Sequence, residues 1–422
     1  MTDNHPPMHD WASDMWRMPR SLTGDGVRHT LRYLKGLIPD LKIIEVPSGT
    51  KAYDWEVPLE WNCREASIRD AGDGTTLISI DENNLHVLGY STAVDEIMTK
   101  EELDPHLYSL PDYPDAIPYI TSYYKERWGF CLNQIQRDNL GDGPFHVYID
   151  SSLTRGSMTY GELIIPGETE EEILLSTYVC HPQMANDNLS GVVVTAALAQ
   201  WLTSLGKRRY TYRILFIPET IGSIYYLSRH LDELRRKVEA GFVLSCCGDD
   251  GQWTHLPSPS GVTLADRAIM AGGPSDVVWR RINWNRRGSD ERQWCLAGLP
   301  ISLLMRSGFG GYPEYHTSLD DLSVISQKGL GETFQVHKNI IIGLENNYKW
   351  RASQPCEPFL SKHGLYPETP AHSKDVPDIL KIYGECDGKN DLFDIVFSSE
   401  VPLLETMKIL DSLVSNGLVW KE

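Results

Sequence analysis

One stretch confines this chain to an α/β architecture. An apolar run leads into a loop that starts Cys180-His181-Pro182 and closes Asp187-Asn188-Leu189-Ser190-Gly191, and a second apolar run follows. The first run, Ile173 to Val179, is rich in β-formers and reads as a buried strand. The second, Val192 to Ala199, opens a helix, with Asn188 or Ser190 as its cap. His181 and Asp187 therefore sit on a loop leaving the carboxyl end of a strand, which is where open α/β sheets bind ligands. Imidazole and carboxylate are also the non-thiol ligands of zinc. The competing reading is a loop whose His and Asp only cap the helix and bond to backbone.

The rest of the chain favours the site. Tyr212 to Pro218 reads as a buried strand and ends in Glu219-Thr220-Ile221-Gly222-Ser223, followed by a helix from Ile224 to Leu234. Gly241 to Cys247 is a third strand, ending in Gly248-Asp249-Asp250. Pro300 to Arg306 is a fourth, and its loop carries Tyr312-Pro313-Glu314-Tyr315-His316-Thr317-Ser318-Leu319-Asp320-Asp321. Strand after strand thus ends in a loop bearing His, Asp or Glu, which points to one shared site.

A length of 422 residues implies two or three domains. The formal net charge of -19 argues against non-specific binding to nucleic acid or to an anionic membrane, which needs a positive field. Met1 to Asp10 is polar and unlike a signal peptide, and no run approaches the roughly 18 apolar residues of a membrane span. The eight cysteines form no C-x-x-C pair, so reduced thiols in a cytoplasmic protein are expected rather than a cysteine zinc site.

Trp11, Met15, Trp16 and Met18 suggest an amphipathic segment. Val27 to Ile38 has helical period and Leu41 to Val46 reads as a strand. From about residue 49 to 142 the chain reads as a β-rich insertion: short strands at 57–62, 65–70, 75–80 and 86–90, then a Pro-rich stretch and a run of aromatics from Tyr119 to Phe130 that wall a pocket or pack a core. The strands Phe145 to Asp150 and Met158 to Ile165 read as the return to the core. A Pro-rich linker (Pro355, Pro358, Pro367, Pro370) leads to three helical patterns, Val376 to Tyr383, Leu392 to Phe397 and Leu403 to Asn416, and then Gly417-Leu418-Val419. That ending suits a winged helix. The expected domains are 1–48 with 143–352, the insertion 49–142, and a linker with winged helix at 353–422.

At these residues the chain resembles the co-catalytic zinc aminopeptidase family, and within it the aminopeptidase-like branch of bacterial polysaccharide-biosynthesis clusters. The resemblance rests on Ala185 to Gly191, on Ser289-Asp290 with Ala297-Gly298-Leu299-Pro300, on Tyr315-His316-Thr317-Ser318-Leu319-Asp320, and on Arg20 to Leu31. It implies a mixed α/β sheet of the phosphorylase/hydrolase type, covered by helices on both faces, with a β-rich insertion and a C-terminal winged helix-turn-helix. It implies that His181 binds one metal, that Asp187 bridges two, and that Asp249 or Asp250 joins His181. His316 then holds the other metal and Glu219 is the general base. The family has a second carboxylate directly after the base, whereas this chain has Thr220. One tightly held zinc, with a second weak or absent, is therefore expected. Tyr312, Tyr315 and Asp290 are candidate substrate-binding residues, Asp320 a candidate to orient His316, and Arg292 and Arg306 candidates for a substrate carboxylate or for ion pairing.

The expected function is zinc-dependent hydrolysis of an amide or peptide bond in a small molecule or peptide. The alternatives are a deacylase or amidohydrolase acting on a sugar or natural-product intermediate, and a non-catalytic ligand-binding regulator. Leu403 to Asn416, the would-be recognition helix, has Lys408 as its only basic residue beside Glu405 and Asp411, a poor groove reader. The tail reads instead as an interaction module that could join subunits into a homo-oligomer.

Overall fold

The computed structural model describes residues 5–275, 277–286, 288–366 and 375–422. Pro367 and Pro370 of the expected linker lie outside the described residues. The chain divides into two compact units. The first comprises Met1–Pro259 and Val278–Thr333, and the second Ser260–Val277 and Phe334–Glu422.

The first unit is built on a mixed sheet. Its strands are β1 (Lys42–Pro47), β2 (Ser157–Ile165), β3 (Glu172–Tyr178), β4 (Thr211–Ile217), β5 (Val238–Val243), β6 (Thr254–Leu256), β7 (Arg280–Arg281) and β8 (Ile301–Met305), in the spatial order β1-β2-β4-β3-β5-β8-β6-β7. The four central strands β4, β3, β5 and β8 are parallel, so their carboxyl ends emerge along one edge. β1 and β2 run antiparallel on one side, and β6 runs antiparallel to β8 on the other. Every residue of β3 is buried, polar Glu172, Ser176 and Thr177 included, as befits a central parallel strand covered on both faces. Helix α1 (Gly191–Ser204) follows β3 and is buried over most of its length. Its first residue must be small: a Cβ on Gly191 would lie 2.3 Å from the Leu244 carbonyl oxygen. Helix α2 (Ile221–Lys237) follows β4. The amphipathic start forms the helix Met8–Met15, which buries Met8, Trp11, Ala12 and Met15.

The insertion differs from its expected form. A second, four-stranded antiparallel sheet runs in the order Thr76–Ser79, Glu60–Asp70, Phe145–Thr154, Val94–Met98. The runs 57–62 and 65–70, read as two strands, are one strand with a bulge between Cys63 and Glu65. His86 to Tyr90 is no strand; Asn84–His86 is a 3-10 turn. Phe145 to Asp150, read as the return to the core sheet, belongs to this second sheet. It pairs with Glu60–Asp70 over ten residues, an apolar match that alternation alone could not assign to one sheet or the other.

The second unit contains the helices Leu264–Gly272, Asp375–Glu385, Leu392–Ser399 and Leu403–Ser415. A three-stranded sheet pairs Lys349–Ala352 with Asp387–Asp391 on one side and Val419–Lys421 on the other, the wing of a winged helix. Lys408, the one cation expected on the third helix, is paired with Glu405 at 3.2 Å. Among the described residues no helix is long and apolar enough to cross a membrane.

One charged group is sealed inside the first unit. Arg213 on β4 donates to both carboxylate oxygens of Glu172 on β3, at 2.6 and 2.8 Å, and to the Tyr226 hydroxyl at 2.5 Å on α2. Glu233 lies 3.1 Å away. Arg213 and Glu172 are each about 3% exposed. Removing one partner strands a buried charge, which costs more than the pair itself contributes. Arg213→Met is therefore expected to destabilise the protein by about 3–5 kcal/mol, read as a lower urea midpoint by circular dichroism.

Candidate functional site

The parallel strands place the site. His181 lies three residues past the end of β3, Glu219 two past β4, and His316 on the loop beyond β8. Three of these turns hold non-glycine residues in left-handed backbone: Thr220 (φ 64), Cys246 (φ 50) and His316 (φ 56). For a β-branched residue such as Thr220 that conformation is costly, and such strain gathers where a fold must aim side chains at one point.

His181, Asp187 and His316 converge, with one ligand atom of each lying within 4.8 Å of the others. Asp187 Oδ2 is 3.8 Å from His181 Nε2 and 3.0 Å from His316 Nε2. This oxygen is fully buried, yet no donor makes a hydrogen bond to it. His316 Nε2 has the distance of a hydrogen bond without its direction. A zinc ion with bonds of about 2.0–2.1 Å in a tetrahedral shell has ligand atoms roughly 3.4 Å apart. The observed separations bracket that value, and an orphaned oxygen between two imidazole nitrogens is the donor set that zinc takes. The residues present fit one metal ion.

The surroundings hold this group in place. The other Asp187 oxygen accepts the Tyr178 hydroxyl at 2.5 Å, and that hydroxyl also meets Ser245 at 2.6 Å. Asp320 accepts the backbone N–H groups of Asn186 at 2.7 Å and Asp187 at 2.9 Å. It therefore orients the Asp187 loop, and not the His316 ring as expected. The Arg20 guanidinium donates to the His181 carbonyl at 2.7 Å. Burial holds the His181 imidazolium down, which keeps the ring neutral and able to bind metal. Burial would raise the Asp187 carboxyl, but the two imidazoles and Tyr178 outweigh it and hold it well below its ordinary range.

Glu219 stands beside this group, its Oε2 3.8 Å from His181 Nε2. Ser289 donates to the other oxygen, Oε1, at 2.5 Å. Asp290, expected to meet substrate, is fully buried and does something else. It accepts the Thr220 N–H at 2.7 Å and the Ser223 hydroxyl at 2.8 Å, pinning the turn that carries Glu219. Glu291 beside it is buried as well.

Asp249 and Asp250 are not brought to the centre. Asp249 is engaged by Asn186 Nδ2 at 2.8 Å, the Ser307 hydroxyl at 2.7 Å and the Gly251 N–H at 2.6 Å. Asp250 is exposed and accepts from Ser326 at 2.9 Å. Neither belongs to the metal-ligating groups of the described residues. The reason is length: the chain runs five residues past β5, from Leu244 to Gly248, before the aspartates appear. Tyr312 is buried with its hydroxyl 3.2 Å from Asp320. Tyr315 stacks on His316 with ring centroids 4.0 Å apart. Arg306 pairs with Glu332 at 3.0 Å and lies over Trp253.

Three contributors escaped the sequence reading, and a fourth, Tyr119, lies in the aromatic run expected to wall a pocket or pack a core. Tyr178 lies on the strand itself, and Ser289 within the Ser289-Asp290 motif. Cys180, next to His181, groups with His181 and Glu219, although burial pushes its thiol well above the ordinary range. Tyr119 comes from the aromatic run of the insertion. Its ring lies 5.2 Å from that of His181 and 5.4 Å from that of His316, and its N–H donates to the His316 carbonyl at 2.9 Å. Beside it a cavity of about 150 Å³ is lined by Arg20, Trp61, Tyr119, Tyr123 and Pro182.

Residues 9–347 match the family described as "Domain of unknown function (DUF4910)", and residues 348–421 match a winged helix-turn-helix family. A protein of Clostridium acetobutylicum, provisionally named a polysaccharide biosynthesis protein with aminopeptidase-like domain, is 42% identical over 417 residues, 96% of this chain and 94% of its own. The chain belongs to this aminopeptidase-like family. A crystal structure of a protein from the same organism, provisionally called a peptidase, matches this aminopeptidase-like chain with a TM-score of 0.92 at 40% identity, over 98% of this chain and 96% of its own. A zinc aminopeptidase from Bacillus subtilis shares the fold, with a TM-score of 0.57 at 11% identity over 80% of this chain and 94% of its own. An aminopeptidase from Aneurinibacillus sp. strain AM-1 does so with a TM-score of 0.51 at 14% identity, over 80% and 93%.

Burial, and next the charge of Glu219, push the Asp290 carboxyl up to about 8 from an ordinary 3.8. The folded chain therefore keeps a proton that the unfolded chain has lost between these values. The resulting stability is complete below about 3.8 and disappears as pH rises through about 8. Asp290→Asn, which retains an acceptor for Thr220 and Ser223, is expected to flatten that decline. Thermal melts across this range should show the variant gaining on the wild type as pH increases.

Proposed function

We propose that this protein is a zinc-dependent hydrolase of an amide or peptide bond. The observation that carries the reading is the buried, donor-free Asp187 Oδ2 between His181 and His316, with Glu219 alongside. His181, Asp187 and His316 would hold one zinc ion. Bound there, zinc would acidify water and polarise the scissile carbonyl. Glu219 takes a proton from the attacking water and returns it to the leaving amine. Ser289 occupies one Glu219 oxygen at 2.5 Å, which leaves Oε2 directed at the centre. Asp290 fixes the turn below it. Tyr119 and Tyr315 wall the two imidazoles with aromatic surface.

A single ion is favoured because Thr220 supplies no carboxylate and neither Asp249 nor Asp250 approaches. The aminopeptidase-like relatives support the hydrolase class. The polysaccharide context in the Clostridium protein's name directs attention to amide-bearing sugar or natural-product intermediates as well as peptides. The winged helix fits an interaction module better than a nucleic-acid reader, since its third helix offers one cation, already paired.

Elemental analysis of the wild type should find about one zinc per chain, and His181→Ala or Asp187→Ala should lose it. Glu219→Gln should keep the metal and lose about 10²- to 10⁴-fold in amide hydrolysis. Loss of zinc from Glu219→Gln would make that residue a ligand instead of the base. A wild type that takes up no zinc even from excess metal would remove the hydrolase reading.

A further inference from the structure

A second opening adjoins the centre, and its chemistry is unlike the rest of the chain. A groove of about 800 Å³ is lined by Arg280, Arg281, Arg286, Gly288, Phe309 and Tyr315 among others, and among the described residues by no carboxylate. It touches both halves of the site. Tyr315 stacks on His316, and Gly288 precedes Ser289, the partner of Glu219.

The chain carries 58 acidic against 39 basic residues, so carboxylates are in excess. Other arginines of this unit have found them: Arg28 pairs with Glu60, Arg64 with Asp150, Arg213 with Glu172 and Arg306 with Glu332. Among the described residues the guanidinium groups of Arg280, Arg281 and Arg286 have no ion pair or hydrogen bond. All three are exposed. Three guanidinium groups of like charge line one groove, and the guanidinium fork suits an oxyanion. The backbone also makes room: a Cβ on Gly311 would come within 2.5 Å of Arg280 Nη1. Phe309 and Tyr315, ring centroids 6.1 Å apart, give the groove an aromatic wall against which the carrier of the anion can pack.

We propose that this groove binds an anionic group of the substrate, a phosphate or a carboxylate, carried beyond the bond that is cut. This rests on the hydrolase reading above and adds the substrate's charge to it. The reaction then selects amides that carry an oxyanion on the side facing Tyr315, although the protein as a whole repels anions.

Phenyl phosphate and phenylacetate distinguish the two sources. Each is titrated calorimetrically into wild-type protein, the double variant Arg281→Ala/Arg286→Ala, its charge-keeping counterpart Arg281→Lys/Arg286→Lys, and chelator-stripped wild type. At least one anion should bind the wild type, about tenfold more weakly after the double alanine change. Binding should change little on removal of metal, and the lysine variant, which keeps the charge but not the fork, should lose less than the alanine variant. The tighter of the two names the group. Binding that follows metal removal and ignores the arginines would place the anion on the metal centre and overturn the proposal, as would failure of both anions to bind. Arginine-dependent binding in a protein that takes up no zinc would leave the anion groove standing and remove the hydrolase reading alone.

Discussion

The geometry of the site turns on a carboxylate oxygen taken out of water and given no proton to accept. Burying a charge without a partner is among the most costly acts in folding. Asp187 Oδ2 is in that position, faced by two imidazole nitrogens that do not direct N–H bonds at it. Its environment is built to keep it there. Tyr178 occupies the other oxygen, Asp320 clamps the two N–H groups of the loop, and Gly191 lets the helix that follows approach β5 closely. A cation held between Asp187 and the two imidazoles would satisfy that oxygen.

The β-rich insertion belongs to the same construction. Its loop from Ile117 to Tyr119 is hydrogen-bonded to the His316 loop: Tyr119 donates to the His316 carbonyl, Ser318 donates to the Ile117 carbonyl, and the Ser318 hydroxyl accepts from the Ile117 N–H. The Tyr119 ring faces both histidines. A left-handed His316 is thus held from both sides, so its strain is borne by contacts outside its own loop. The insertion supplies a wall to the centre and fixes one of its ligand-type residues.

Much of the fold could be read from the chain. The four parallel strands ending near Tyr178, Ile217, Val243 and Met305 are apolar runs too continuous for anything but a sheet covered on both faces. The three helices of the tail also follow their apolar spacing closely. The strand Phe145–Thr154 shows the limit. Its pattern announces a strand, but either sheet could satisfy it, and only pairing with Glu60–Asp70 decides. The site divides in a similar way. His181, Asp187, Glu219 and His316 stand out because polar groups of metal-binding type recur at strand ends. Asp249 was legible as an acid near a strand end, but not as one whose oxygens are already taken by Asn186, Ser307 and Gly251.

The sequence by itself determined the strand-to-loop order, the chemical types gathered at the loops, and the absence of a carboxylate at Thr220. These are local properties, set by spacing and by side-chain chemistry. Tertiary structure alone decided that Asp290 lies beneath the Glu219 turn instead of facing substrate, that Ser289 holds Glu219, that Tyr119 arrives from a distant insertion, and that three arginines without an ion pair among the described residues line one groove with Tyr315. Such relations join residues tens to hundreds of positions apart. They depend on which strand ends meet and on which polar atoms have already found partners, and no local pattern along the chain records either.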